Sequence, residues 1–148
     1  KVIAIGNDCP DLTTAHIETA ITQLDHQSLV LGPTLDGGDY LIGIHQRNFD
    51  STLFGTIPWN SQKVHVGLIT MADGLGLQVL CLQTLMDIDN FQSIKTYIQS
   101  KPSSIFAFGM GQILCWFVDI HQDSTSKIKS IFLLGFQFLR PPPALSIR

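Results

Sequence analysis

Charge is scarce in this chain: only 14% of its 148 residues are Asp, Glu, Lys or Arg, against roughly 25% in ordinary soluble domains. The nine Lys and Arg form no cluster and the formal net charge is −3, which excludes the basic footprint of a DNA- or RNA-binding surface. Cysteine is scarce too. Cys9, Cys81 and Cys115 stand at unrelated spacings with no Cys-x-x-Cys pair. That excludes a zinc ribbon or dithiol motif and leaves a reducing cytosol as the simplest compartment, so the protein is expected to be cytoplasmic. His16, His26, His45, His65 and His121 show neither His-x-x-x-His nor His-x-x-Glu-His spacing, so a zinc hydrolase has no support. They read as surface or packing residues.

Long apolar runs are missing as well. A spanning helix needs about 20 apolar residues; Ile105 to Val118 is interrupted by Gly109, Gly111 and Gln112, and Ile131 to Leu139 is shorter still. Strands or buried packing segments are expected in both stretches, and no membrane span. Lys1 leads straight into a strand-like run rather than into the charged, apolar and small-residue succession of a signal peptide. The chain reads as part of a longer protein, or as one whose beginning was lost.

What is present is a core. Hydrophobic residues make up 45% of the chain, enough for a domain of ordinary size. Val2 to Ile5 is a short apolar run closed by Gly6, as in a strand covered on both faces. Ile17, Ile21 and Leu24 fall at helical spacing after Pro10, with Thr13 or Asp11 able to cap the first turn. Ser28 to Leu31 and Tyr40 to Ile44 read as two further strands. Phe54, Ile57 and Trp59 read as loop positions packing on that layer. A helix carrying Val64, Leu68, Met71 and Leu75, capped by Ser61, comes next. A strand from Gln78 to about Leu82 follows, and then a helix capped by Asn90 and bearing Phe91, Ile94, Tyr97 and Ile98. Alternating strands and helices predict an α/β three-layer sandwich on a mainly parallel sheet, over residues 1–101, with residues 102–148 as an apolar extension.

Three segments carry candidate chemistry. In Gly6-Asn7-Asp8-Cys9-Pro10-Asp11-Leu12 a carboxylate follows a buried strand, at the sheet edge where α/β proteins bind ligands. Hard cations such as magnesium take oxygen ligands and bridge carboxylates to substrate phosphates, which suits Asp8. Asp8 or Asp11 serves equally well as a helix cap. Cys9 makes a poor nucleophile because the flanking acids disfavour its thiolate. In Gly32-Pro33-Thr34-Leu35-Asp36-Gly37-Gly38-Asp39-Tyr40-Leu41-Ile42-Gly43 the paired glycines let a substrate approach the backbone. Asp36, Asp39 and Tyr40 there offer hydrogen bonds to hydroxyls. An ordinary Asp-Gly turn between strands is the competing reading. In Asp87-Ile88-Asp89-Asn90, alternation points the two carboxylates to opposite faces. Asp89, nearer the helix start, is the one assigned to a metal site, although acids there also satisfy a helix dipole.

Taken in order, these segments and the Leu53-Phe54 to Trp59 loop resemble a bacterial family of radical-SAM/selenodomain-associated transferases. That family is a branch of the glycosyltransferase-A-like, nucleotide-diphospho-sugar transferase superfamily. The resemblance covers about Lys1 to Ser100, with Asn7, Asp39 and Asn90 standing where Ser, Tyr and Thr are more usual. It implies that Asp8 and Asp89 hold Mg2+ or Mn2+ against the diphosphate of a nucleotide or nucleotide-sugar donor, and act there as the catalytic residues. It also implies that Asp36, Gly37, Gly38, Asp39 and Tyr40 line the site of a small acceptor. The superfamily's first strand and basic, glycine-containing nucleotide loop have no counterpart ahead of Lys1, so the chain is expected to bind nucleotide weakly or not at all unless another chain supplies that half.

The expected function is therefore metal-dependent glycosyl or nucleotidyl transfer, two reactions that differ only in which donor bond breaks. The alternative from a different class is a non-catalytic α/β binding or assembly module. It would form homo-oligomers through the apolar region after Pro102.

Overall fold

The computed structural model describes residues 1–120, with side-chain surroundings to residue 113. The apolar stretch from Ile131 to Leu139 lies outside the described residues. Two compact units divide the chain, Lys1–Ile88 and the part from Asp89 onward.

The first unit holds four strands, β1 (Val2–Ile5), β2 (Ser28–Pro33), β3 (Asp39–Ile44) and β4 (Gln78–Cys81), and three helices, α1 (Thr14–Gln23), α2 (Ser51–Gly55) and α3 (Val64–Gly74). The strand order is β1-β3-β2-β4. β2 and β4 pair in parallel, while β3 is antiparallel to both β1 and β2. The sheet is thus mixed, and the expectation of a mainly parallel sheet is corrected. The reason lies in the chain itself: only five residues separate β2 from β3, whereas a parallel return needs a crossover of a dozen or more. β1, β2 and β4 still run in one direction. Their C-terminal ends, with the start of β3, therefore share one edge of the sheet.

Each face of the sheet has its own apolar layer. Leu29, Leu31 and Ile44 pack with Leu68, Met71 and Ala72 of α3 and with Ile57. Val30, Tyr40 and Leu41 pack on the other face with Ala20 of α1 and with Leu24 and Cys9. The three-layer arrangement holds, and it follows from the period-two alternation of β2 and the helical spacing of α1 and α3. Each fully buried Leu in these layers contributes roughly 1.5–3 kcal/mol relative to an exposed one.

Local chemistry explains the element ends. Thr13 precedes α1, and its backbone N–H donates to the His16 ring at 3.2 Å. The residues around Phe54, read as loop, form the short helix α2, because Asp50 accepts from the N–H groups of Thr52 and Leu53. Ser61 does not cap α3, whose N-cap is Lys63; it closes the preceding turn by accepting the Lys63 N–H and donating to the Pro58 carbonyl.

In the second unit Asn90 caps α4 (Phe91–Ser100), accepting from Gln92 and Ser93. The stretch after Pro102, expected as strand or buried packing segment, is instead the helix α5 (Ile105–Ile120). Its glycines cost helix propensity but do not forbid it. Tyr97 is buried and meets Phe106 edge-on at 5.5 Å. Among the described residues no helix is long and apolar enough to cross a membrane.

Candidate metal and acceptor site

The shared sheet edge gathers three loops of the first unit. Beyond β4 the chain stays extended beside the end of β2: Leu85 donates to the Pro33 carbonyl at 3.0 Å, and Leu35 donates to the Leu85 carbonyl at 3.1 Å. That pairing carries Asp87 to Asp36. A carboxylate oxygen of each lies within 4.8 Å of one from the other. One residue further, Ile88 donates to the Asp8 carbonyl at 2.9 Å, fastening the loop after β1 to the same strip of backbone.

Asp36 is held by its own turn. The Thr34 hydroxyl and the Gly38 N–H donate to Asp36 Oδ1 at 2.6 and 3.0 Å. Together they hold its carboxyl below the ordinary carboxylate range, the Thr34 bond having the larger effect. Two ionised carboxylates at such a separation repel by roughly 1 kcal/mol in water and by more near a protein surface. A bound cation removes that repulsion. The donors are carboxylate oxygens, partly exposed, and they fit a hard divalent ion such as Mg2+ or Mn2+.

The glycines of this turn are needed by the fold. Gly37 has φ +95°, and a Cβ there would lie 2.2 Å from the Gln62 carbonyl oxygen. The close approach open at Gly37 is therefore made by the chain's own backbone. The segment is also locked from α3, where the His65 N–H donates to the Gly37 carbonyl at 3.1 Å.

Asp39 and Tyr40 are placed by an irregularity in β3. Gly32 pairs with Leu41 but Pro33 pairs with Asp39, so Tyr40 is an extra residue opposite a single step of β2, a β-bulge. The bulge turns Tyr40 to the same face as Leu41, where both join the α1 layer. There the Tyr40 ring covers Gly32, whose hypothetical Cβ would fall 2.5 Å from it, and the hydroxyl donates to the Gln83 carbonyl at 3.0 Å. Asp39 is left facing α3. Its side chain is 0% exposed, Oδ1 lies 2.9 Å from His65 Nδ1, and Oδ2 is buried with no hydrogen-bond partner. Burial raises its pKa from 3.8 to about 6 against the opposing pull of His65. Neither Asp39 nor Tyr40 presents its polar atoms to solvent.

Of the residues assigned from sequence, Asp8, Asp36, Gly37, Gly38, Asp39 and Tyr40 all lie on the loops or strand start of this one edge. Asp8 is exposed, with Oδ1 folded toward Gly6. Asp89, also exposed, opens the second unit, directly after Ile88. Sequence reasoning set Asp87 aside on alternation, yet Asp87 reaches Asp36. His65 was read as packing. The available signal for both was distance along the chain: Asp87 follows β4 as Asp36 follows β2, and His65 opens a helix that must return to β3.

Residues 1–61 match a family described as an uncharacterized protein conserved in bacteria, DUF2064. The crystal structure of a proposed nucleotide-diphospho-sugar transferase from Desulfovibrio desulfuricans is similar to this chain, with TM-score 0.62 and 28% identity over 71% of its residues. The chain spans 46% of that protein's length. No curated protein matches. The α/β fold of this chain is thus similar to that of a protein named for the nucleotide-diphospho-sugar transferases.

Proposed function

We propose that this chain carries the metal and acceptor side of a metal-dependent transferase that uses a nucleotide or nucleotide-sugar donor. The observation that supports this best is the carboxylate pair Asp36–Asp87, set at the sheet edge where the Asp8 loop is fastened by Ile88. Similarity to the Desulfovibrio protein supports the same class. In this reading Asp36 and Asp87 hold the metal ion together with Asp8, and Asp89, at the head of the second unit, is the further ligand assigned from the sequence. A divalent ion bound there supplies positive charge against a diphosphate leaving group. Asp36, held rigid in its turn, borders the side from which an acceptor approaches. Titration with manganese tests the assignment: binding should weaken at least tenfold in Asp8→Ala and in Asp89→Ala, and unchanged affinity in both rejects them as ligands.

A non-catalytic assembly role draws on one observation, the exposure of Ile105, Phe106, Phe108 and Ile113 on α5, since such apolar surface favours self-association. Sedimentation over a range of concentrations decides it. A strict monomer removes this reading.

A further inference from the structure

At this edge a buried carboxyl, Asp39, faces the partly exposed ring of His65. A fully buried carboxyl with one oxygen unpartnered costs about 1–3 kcal/mol in lost hydrogen bonding. An apolar pair of similar size would join α3 to β3 without that cost. The bulge at Tyr40 is what aims Asp39 at α3, and the His65 backbone is registered on the acceptor turn through Gly37. The imidazole is thus held at two points, its Nδ1 by a carboxylate and its main chain by the turn that begins at Asp36. The side chain is 23% exposed, which leaves an outward part of the ring within reach of a ligand.

Such an arrangement, a carboxylate on Nδ1 with the rest of the ring directed outward, is the unit that fixes an imidazole in the tautomer with a bare Nε2 acceptor. The other ionisable groups that feel Asp39 are Tyr40 on its own strand and Cys81 at the end of β4. Burial foremost holds both toward their neutral forms, aided by Cys9 and then Asp39 at Tyr40 and by Asp39 at Cys81. They do not compete for the role.

We propose that His65 is a catalytic base of the acceptor site and that Asp39 is its positioning residue. The assignment rests on the transferase reading above. The acceptor hydroxyl gives its proton to His65 Nε2 as its oxygen forms a bond to the donor's electrophilic centre. The bond from that centre to the leaving phosphate oxygen breaks, and the electron pair departs with the phosphate. The imidazolium so formed is paired with the Asp39 carboxylate and returns its proton to water through the exposed part of the ring. The acceptor is accordingly an alcohol, one that enters the cycle uncharged at the attacking oxygen.

Two measurements on the full chain test this. Nitrogen-15 spectra of the histidine rings should show His65 with hydrogen on Nδ1 and a bare Nε2 near pH 8, and Asp39→Asn should shift that tautomer balance. Nucleotide release from a panel of nucleotide sugars and nucleoside triphosphates, with manganese, millimolar donor and glycerol as acceptor, should fall at least 100-fold in kcat for His65→Gln, the scale of a lost general base. The KM for donor should stay within about twofold. A His65 found in the Nε2–H tautomer, or a His65→Gln protein with wild-type kcat, overturns the assignment while leaving the transferase reading intact. A wild-type protein that releases nucleotide from no donor and binds no manganese overturns both.

Discussion

Replacing Asp39 with Asn should abolish the pH dependence that this side chain imposes on stability. In the folded protein the Asp39 pKa stands at about 6, raised from 3.8 by burial. The native state therefore keeps its proton at a pH where the unfolded chain has lost it. The sign follows: stability from this group is fully present below about pH 4 and is lost as the pH rises to about 6. A rise of that size corresponds to roughly 3 kcal/mol. Solvent reaching the pair past His65 screens part of it, leaving about 2 kcal/mol. Asn keeps the shape and cannot ionise. Urea denaturation of both proteins at pH 4 and pH 7, analysed by linear extrapolation, should show the Asn variant gaining about 2 kcal/mol on the wild type between the two. A difference that stays constant, or moves toward the wild type as the pH rises, refutes the account of Asp39 as a carboxyl that burial holds against ionising.

Other substitutions probe the frame of the site. Gly37→Ala sets a Cβ 2.2 Å from the Gln62 oxygen at a positive φ, so chemical denaturation should register a loss of at least about 1–3 kcal/mol. Tyr40→Phe removes the donor to the Gln83 carbonyl and should cost about 1 kcal/mol, read as a lower denaturation midpoint with an unchanged slope. Asn90→Ala removes the acceptor of the Gln92 and Ser93 N–H groups; amide exchange in the first turn of α4 should quicken in line with a loss of about 1 kcal/mol.

Much of the fold was legible because its signals are local. The short apolar run of β2, the three- and four-residue spacing of α1 and α3, and Asn90 as a cap each determine one element without reference to another. Strand direction is different. The pattern of Ser28 to Leu31 says that both faces are covered, and a mixed sheet with helices on both faces covers them as fully as a parallel one; the five-residue link to β3 was the clue that decided it. The helix α5 was missed because glycines at 109 and 111 weigh against a helix in isolation, yet propensity is a weak prior that context overrides. At the site, the acidic loops could be picked out by their places after strands. The partnership of Asp39 with His65 could not, since it depends on the one-residue bulge at Tyr40, which changes the face of every residue before it. Alternation assumed for the segment after β4 set aside Asp87 for a similar reason.

The most direct test of the proposed function is manganese binding by the Asp36–Asp87 pair, followed by the paramagnetic resonance signal of the free ion. The transferase account predicts saturable binding by the wild-type chain and an affinity at least tenfold weaker in both Asp36→Asn and Asp87→Asn, each variant remaining folded. Equal affinity in all three proteins contradicts it.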